Sequence, residues 1–270
     1  MSYAFPPGGL PDQSGNPEGR AVFTEAYAFI PALTMRDIVT SLLPGWQDSR
    51  AWIIARPLSG FAETFAQYAV ELSPGGGSDT PEPDPQAQAG LFVARGQMRL
   101  TLDGAEHDLA EGSYAYIPAG ANWTLWNAGD EVAQFHWIRK RYEDVPGLAR
   151  PDPILTSDHD VAPTPMPNTD KWATTRFADP ADLRHDMHAN IVTFQPGGRI
   201  PFAETHVMEH GLYVLQGTAR YLLNTDWVDV GPGDFMWLRS FCPQACIATG
   251  DEPFRYLLYK DVNRHPKLAL

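Results

Sequence analysis

Gly90-Leu91-Phe92-Val93-Ala94-Arg95-Gly96 reappears 121 positions later as Gly211-Leu212-Tyr213-Val214-Leu215-Gln216-Gly217. The same offset carries Glu111-Gly112-Ser113-Tyr114-Ala115-Tyr116-Ile117 onto Pro232-Gly233-Asp234-Phe235-Met236-Trp237-Leu238. It also carries Phe135-His136-Trp137-Ile138-Arg139 onto Tyr256-Leu257-Leu258-Tyr259-Lys260. Upstream, Ser73-Pro74-Gly75-Gly76 meets Gln195-Pro196-Gly197-Gly198 after a slip of one residue, which costs little in a loop. Two long copies describe a duplicated domain, not a solenoid of short repeats.

Each copy reads as short strands broken by turns. Met98-Arg99-Leu100-Thr101-Leu102 alternates apolar with polar, and Asp103-Gly104 supplies a hairpin turn. Gly112, Pro118 and Gly120 punctuate the next strands. The whole chain of 270 residues carries 25 Pro and 23 Gly, a composition that disfavours long helices. The expectation is an all-β protein of two tandem jelly-roll barrels. The first lobe spans residues 1–150, a linker rich in Pro, Asp and Thr spans 151–170, and the second lobe spans 171–270.

Charge and composition narrow the function. A formal net charge of −13 repels phosphate backbones, so nucleic acid is not an expected partner. Two cysteines, Cys242 and Cys246, are too few for a disulfide scaffold and read as buried, inert thiols. Met1 to Gly9 lacks a basic stretch followed by an apolar run, and no apolar run approaches the ~18 residues a membrane helix needs. A cytoplasmic protein with no membrane partner is expected.

The second copy resembles the cupin family. The family's first signature is Gly, five residues, His-x-His, three or four residues, Glu, six residues, Gly. Here the same spacing reads Gly198, Glu204-Thr205-His206, His210 and Gly217. In the second signature, Gly233 starts the motif and Gln244 falls where the family has His. The resemblance therefore implies metal ligands at Glu204, His206, His210 and Gln244, with three residue types exchanged. Glu204 and His206, two apart, share one face of a strand. Carboxylate, imidazole and amide oxygen suit a hard or borderline divalent ion, and the lack of thiolates disfavours structural zinc. Mn2+ is the first choice, with Fe2+ or another divalent transition metal next. In the first copy the corresponding positions hold Pro83, Pro85, Ala89 and Trp123, none of which binds a metal. That copy reads as a structural lobe and a contributor to dimerisation.

Residues 198–264 are also similar to the C-terminal half of the (S)-ureidoglycine aminohydrolases, bicupins of allantoin and purine breakdown. The matching run is Glu204-Thr205-His206-Val207-Met208-Glu209-His210-Gly211, then Tyr221, Trp227, Gly233-Asp234, Gln244, Tyr256, Lys260-Asp261 and Asn263-Arg264. The resemblance implies a manganese-dependent hydrolase that converts (S)-ureidoglycine to (S)-ureidoglycolate and ammonia. It also implies Tyr221, Tyr256 and Lys260 around a small anionic ureide, and a homo-oligomer. For the residues themselves two readings stay open. Lys260 is either a general acid or base or a solvated strand-end lysine, and the tyrosines either touch substrate or line the barrel wall. Arg184-His185-Asp186-Met187-His188 reads as a strand edge, with Asp186 or His188 reaching the pocket mouth. Two rivals compete with the hydrolase: a ferrous cupin dioxygenase, which a fourth ligand at Gln244 disfavours, and a non-enzymatic metabolite-binding bicupin.

Overall fold

The computed structural model describes residues 21–35, 40–57, 62–261 and 264; Met1 to Gly9 and Asn263 lie outside them. Among the described residues helix is confined to short 3-10 turns such as Ala32–Thr34, and the rest of the regular structure is strand. The fold is all-β, as expected.

The chain divides into two compact units. The first holds β3 (Gln47–Ala55), β4 (Ala66–Ser78), β5 (Ala87–Arg95), β6 (Gln97–Leu102), β7 (Ala105–Ala110), β8 (Ser113–Ile117), β9 (Trp123–Asn127), β10 (Ala133–Arg141) and β11 (Ile154–Ser157). The second holds β1 (Val22–Phe23), β2 (Tyr27–Ile30), β12 (Thr164–Pro165), β13 (Trp172–Arg176), β14 (Met187–Phe194), β15 (His210–Gln216), β16 (Ala219–Leu223), β17 (Asp226–Val230), β18 (Phe235–Leu238), β19 (Gln244–Ala248) and β20 (Phe254–Asp261). The sequence repeat is the structural one. Shifted by 121, Ala105, Trp123 and Ala133 at the starts of β7, β9 and β10 become Asp226, Gln244 and Phe254 at the starts of β17, β19 and β20.

The lobe boundaries differ from the contiguous blocks that the sequence suggested. The strands at 22–30 belong to the second unit, where β2 pairs with β18 from Phe235↔Ile30 to Leu238↔Tyr27. Tyr27 joins that unit's core, and its hydroxyl donates to Asp226 Oδ2 at 2.8 Å. The segment read as linker is also not all linker. Ile154–Ser157 pairs with β8 in the first unit, and Thr164–Pro165 pairs with β13 in the second. The physical reason is the edge. β8 and β18 each have a bare side whose amides and carbonyls must be satisfied, so flanking chain covers them. Composition alone does not show which segment will do so.

The first unit's core explains its missing site. Trp137 packs edge-on against Trp123 and Tyr68, at 5.9 and 5.4 Å between ring centroids, and Trp46 lies 5.5 Å away. Arg139, paired with Ala89 across the sheet, reaches into this cluster. Its Nε donates to Glu82 Oε2 at 2.6 Å, its Nη1 donates to Tyr68 Oη at 2.9 Å, and its guanidinium lies 4.9 Å from the Trp137 ring. A matched ion pair in an aromatic interior leaves no free charge for a ligand.

Candidate metal centre and pocket

In the second unit β13, β14, β20 and β15 are neighbours, and alternate residues face one side. Three rungs cross the sheet there. His188, Lys260 and His210 form one, and Asn190, Leu258 and Leu212 the next, with Arg176 beside Asn190. Val192, Tyr256 and Val214 form the third, with Thr174 beside Val192. The smaller sheet of β17, β16 and β19 supplies Gln244. Glu204 and Gln244 exchange both backbone hydrogen bonds at 2.9 Å, which fixes the two residues side by side. His206 is tied in the same way, since its carbonyl accepts from the Phe241 amide at 2.6 Å.

These elements enclose a cavity of about 120 Å³, enough for a small metabolite and far too small for a polymer. Glu204, His206, His210, Gln244, Tyr256 and Lys260 all line it. Tyr221 lies behind Gln244: it is fully buried, donates its hydroxyl to Gln244 Oε1 at 2.9 Å, and meets Tyr256 edge-on at 6.1 Å. Burial raises both phenols well above the ordinary tyrosine value, so they are neutral hydroxyls. Tyr221 therefore reaches a ligand only through Gln244 and Tyr256, with which it also shares a hydrogen bond. Cys246 is buried with its thiol pushed up, which keeps it protonated and inert.

The donor set fits a divalent ion. Burial first, then the His206 and Lys260 charges, push His210 down to about 3, so its imidazole is neutral at working pH. One ring nitrogen of His210 donates to the Met208 carbonyl, which orients the ring and leaves the other lone pair free. His206 Nε2 lies 3.3 Å from Glu204 Oε1, and the His206 and His210 rings are 5.2 Å apart. Among the described residues no three His, Cys, Asp or Glu side chains form a closed cage. Glu204 is turned onto His206, and the fourth donor, Gln244, is an amide whose oxygen accepts from Tyr221. A cation would take over both of these contacts.

Sequence reasoning missed Arg176, Thr174, Trp172 and Asn190, which also line the cavity. A signal existed for Asn190, a polar residue inside the apolar run that follows His188. The strand-edge reading of 184–188 fits the pairing, since β13 pairs with β14 only from Asn190 to Phe194 and Met187 and His188 pair with β20 alone; His185, Asp186 and His188 are nonetheless buried. The His188 ring lies 5.9 Å from that of His185, tilted to it, and His188 shares its rung with Lys260, but it does not line the cavity.

Burial is the main force that pushes His188 and His136 each down to about 4. A folded-state value below the ordinary 6.5 means the unfolded chain binds the proton first as pH falls. Stability is then lost below about 6.5, by roughly 1.4 kcal/mol per pH unit for each imidazole charged only when unfolded. Calorimetry is expected to show Tm falling steadily between pH 6.5 and 4. A flat Tm over that window would show these histidines already protonated in the fold.

One buried network fixes the ligand loop. The Glu209 carboxylate accepts from the Glu63 and Thr64 amides at 2.6 and 2.9 Å, and from the Thr64 hydroxyl and Trp237 Nε1. Its own amide donates to Asp261 Oδ1 at 2.6 Å. Glu209 precedes His210, and Asp261 follows Lys260, so this network sets the register of both. Glu209→Ala leaves the two amides and the indole without an acceptor and is expected to cost about 2–4 kcal/mol in urea unfolding. A loss below 0.5 kcal/mol would mean that water replaces the carboxylate.

Comparison with known proteins places this arrangement. The cupin domain profile matches residues 68–139 and again 190–259. An (S)-ureidoglycine aminohydrolase of Escherichia coli K12 is 32% identical over 235 residues, covering 86% of this chain and 88% of the relative. The Arabidopsis thaliana (S)-ureidoglycine aminohydrolase is 29% identical over 248 residues, covering 92% of this chain and 79% of the relative. A crystal structure of a Pseudomonas aeruginosa protein described as glyoxylate-induced superposes with a TM-score of 0.90. It is 59% identical and covers 100% of this chain and 99% of that one.

Proposed function

This chain belongs to the cupin family and, within it, to that of the (S)-ureidoglycine aminohydrolases, and on that premise we infer that it hydrolyses (S)-ureidoglycine to (S)-ureidoglycolate and ammonia. The observation that carries this reading is the pair of cations in the cavity. Neither Lys260 nor Arg176 has a hydrogen bond or carboxylate partner among the described residues, whereas Arg139, the counterpart of Lys260, is neutralised by Glu82. Half-buried cations without a carboxylate partner among the described residues, beside a carboxylate–imidazole–amide donor set, suit an anionic ligand with polar nitrogens.

The reacting carbon bears an amine, a ureido nitrogen and a carboxylate, so its carbon–amine bond breaks readily once that amine is protonated. The site has to deliver a proton and bias the face from which water enters. Glu204, His206, His210 and Gln244 would hold the metal, which we propose to be Mn2+. When bound, it supplies positive charge that orients the carboxylate and lowers the pKa of water. Lys260 holds or releases a proton at Nζ, because burial and then the Arg176 charge lower its pKa below the usual lysine value. Tyr256 presents a neutral hydroxyl to the cavity, and Tyr221 steadies Gln244. Leu212, Val192 and Leu258 supply an apolar wall that limits access of bulk water. No described helix is long and apolar enough to cross a membrane. We propose a cytoplasmic homo-oligomer.

The assay that tests this reading follows ammonia from freshly generated ureidoglycine with Mn2+ present, together with product chirality. Fast release with a single ureidoglycolate enantiomer is expected. Racemic product at the uncatalysed rate would sink the assignment.

A further inference from the structure

Asn190 carries an unmet demand. Its side chain lines the cavity, it is only 2% exposed, and its Oδ1 is buried without a hydrogen bond. Nor does its amide nitrogen find a partner among the described residues. Its sheet neighbours offer none, since Leu258 flanks it on β20 and Arg176 on β13, and a guanidinium directed into the cavity does not bond it. A buried amide without partners costs about 1–3 kcal/mol unless something satisfies it.

We propose that Asn190 is the specificity residue for the carbamoyl end of the substrate, an inference that rests on the ureide reading of the site. A primary amide is self-complementary to a urea. Its carbonyl accepts a ligand N–H, and its NH₂ donates to the ligand carbonyl. Exchanging the amide's oxygen and nitrogen leaves the pairing intact, so either orientation of the group serves. The cations Lys260 and Arg176 then face the carboxylate, alongside the metal that Glu204, His206, His210 and Gln244 would hold. Asn190 reads the part of the substrate that does not react, and binding energy there positions the part that does.

The test uses two stable ligands that differ at one group. N-carbamoylglycine keeps carboxylate, carbonyl and terminal NH₂, while N-acetylglycine replaces that NH₂ with a methyl. Dissociation constants are measured by calorimetry on Mn2+-supplemented protein. Wild type is expected to prefer the carbamoyl ligand by roughly 10–100-fold, because a methyl leaves Oδ1 unpaired. In Asn190→Leu, and in Asn190→Ala should the leucine variant fold poorly, the ratio is expected to fall to within about threefold of unity, with N-acetylglycine weakened less than the carbamoyl ligand because it loses only the contact to its carbonyl. A preference that survives in either variant, or that wild type lacks, overturns the proposal. Turnover of ureidoglycine by wild type is scored separately. An active enzyme without the carbamoyl preference loses only this inference. An inactive protein loses the aminohydrolase reading itself.

Discussion

Lys260→Met is expected to lower kcat on ureidoglycine by about 10²–10⁴-fold while metal content stays at the wild-type level. The methionine keeps the stem and its packing and removes only the titrating head. In wild type that head is half-buried, shares its rung with His188 and His210, and has no carboxylate partner among the described residues. Because burial and Arg176 lower its folded pKa below 10.5, the unfolded chain holds the proton more tightly. The linkage sign is then fixed. Stability is diminished at pH values below the folded pKa and recovers as pH rises towards 10.5. Replacing the lysine removes that cost, so Tm at pH 7 should hold or rise in the variant. A purely structural lysine gives the opposite, a lower Tm with kcat retained. The pH profile adds a third readout. Wild type should show a limb below pH 10.5 that Lys260→Met lacks. Its direction distinguishes the roles: a rise with pH marks Lys260 as base, and a fall marks it as acid.

His206→Ala should abolish stereoselective turnover, because it removes a nitrogen donor from the least enclosed part of the site. Its imidazole is one-third exposed and contacts Glu204, whereas His210 is almost fully buried. The loss is expected to exceed ~10³-fold, leaving uncatalysed breakdown and racemic product. Metal measured on dialysed protein should fall from near one ion per chain to background. A second signal is independent of activity. Mn2+ at about 100 times its dissociation constant should stabilise wild type by roughly 2.7 kcal/mol and leave the variant unmoved. A variant that still gains Tm on adding Mn2+ would place the ion elsewhere. Wild type that works fully after exhaustive chelation would remove the metal from the reaction.

Much of the frame and the donor set is legible in the chain itself. The offset of 121 aligns Gln244 with Trp123 and Lys260 with Arg139, and both pairs occupy equivalent strand positions. Local spacing also puts Glu204 and His206 side by side, with His206 Nε2 3.3 Å from Glu204 Oε1, although the strand expected there is reduced to a single bridge at Glu204. Periodicity and spacing are properties of neighbours along the chain, so a sequence carries them in full.

What it could not carry was which distant segments meet. Tyr27 closes the edge of β18, Tyr221 stands behind Gln244 and not in the cavity, and Glu209 captures the amides of Glu63 and Thr64. The state of charge is another such property. Lys260 and Arg139 are both cations at one repeat position, yet among the described residues Arg139 is paired with a carboxylate and Lys260 is not. Asn190 likewise reads as an ordinary polar residue until both neighbouring strands prove unable to satisfy it. Sequence thus determined the duplicated all-β frame and the positions of candidate donors. Tertiary structure alone decided which of them are buried, which are paired and which are left wanting a ligand, because desolvation and hydrogen bonding depend on what surrounds a group in three dimensions.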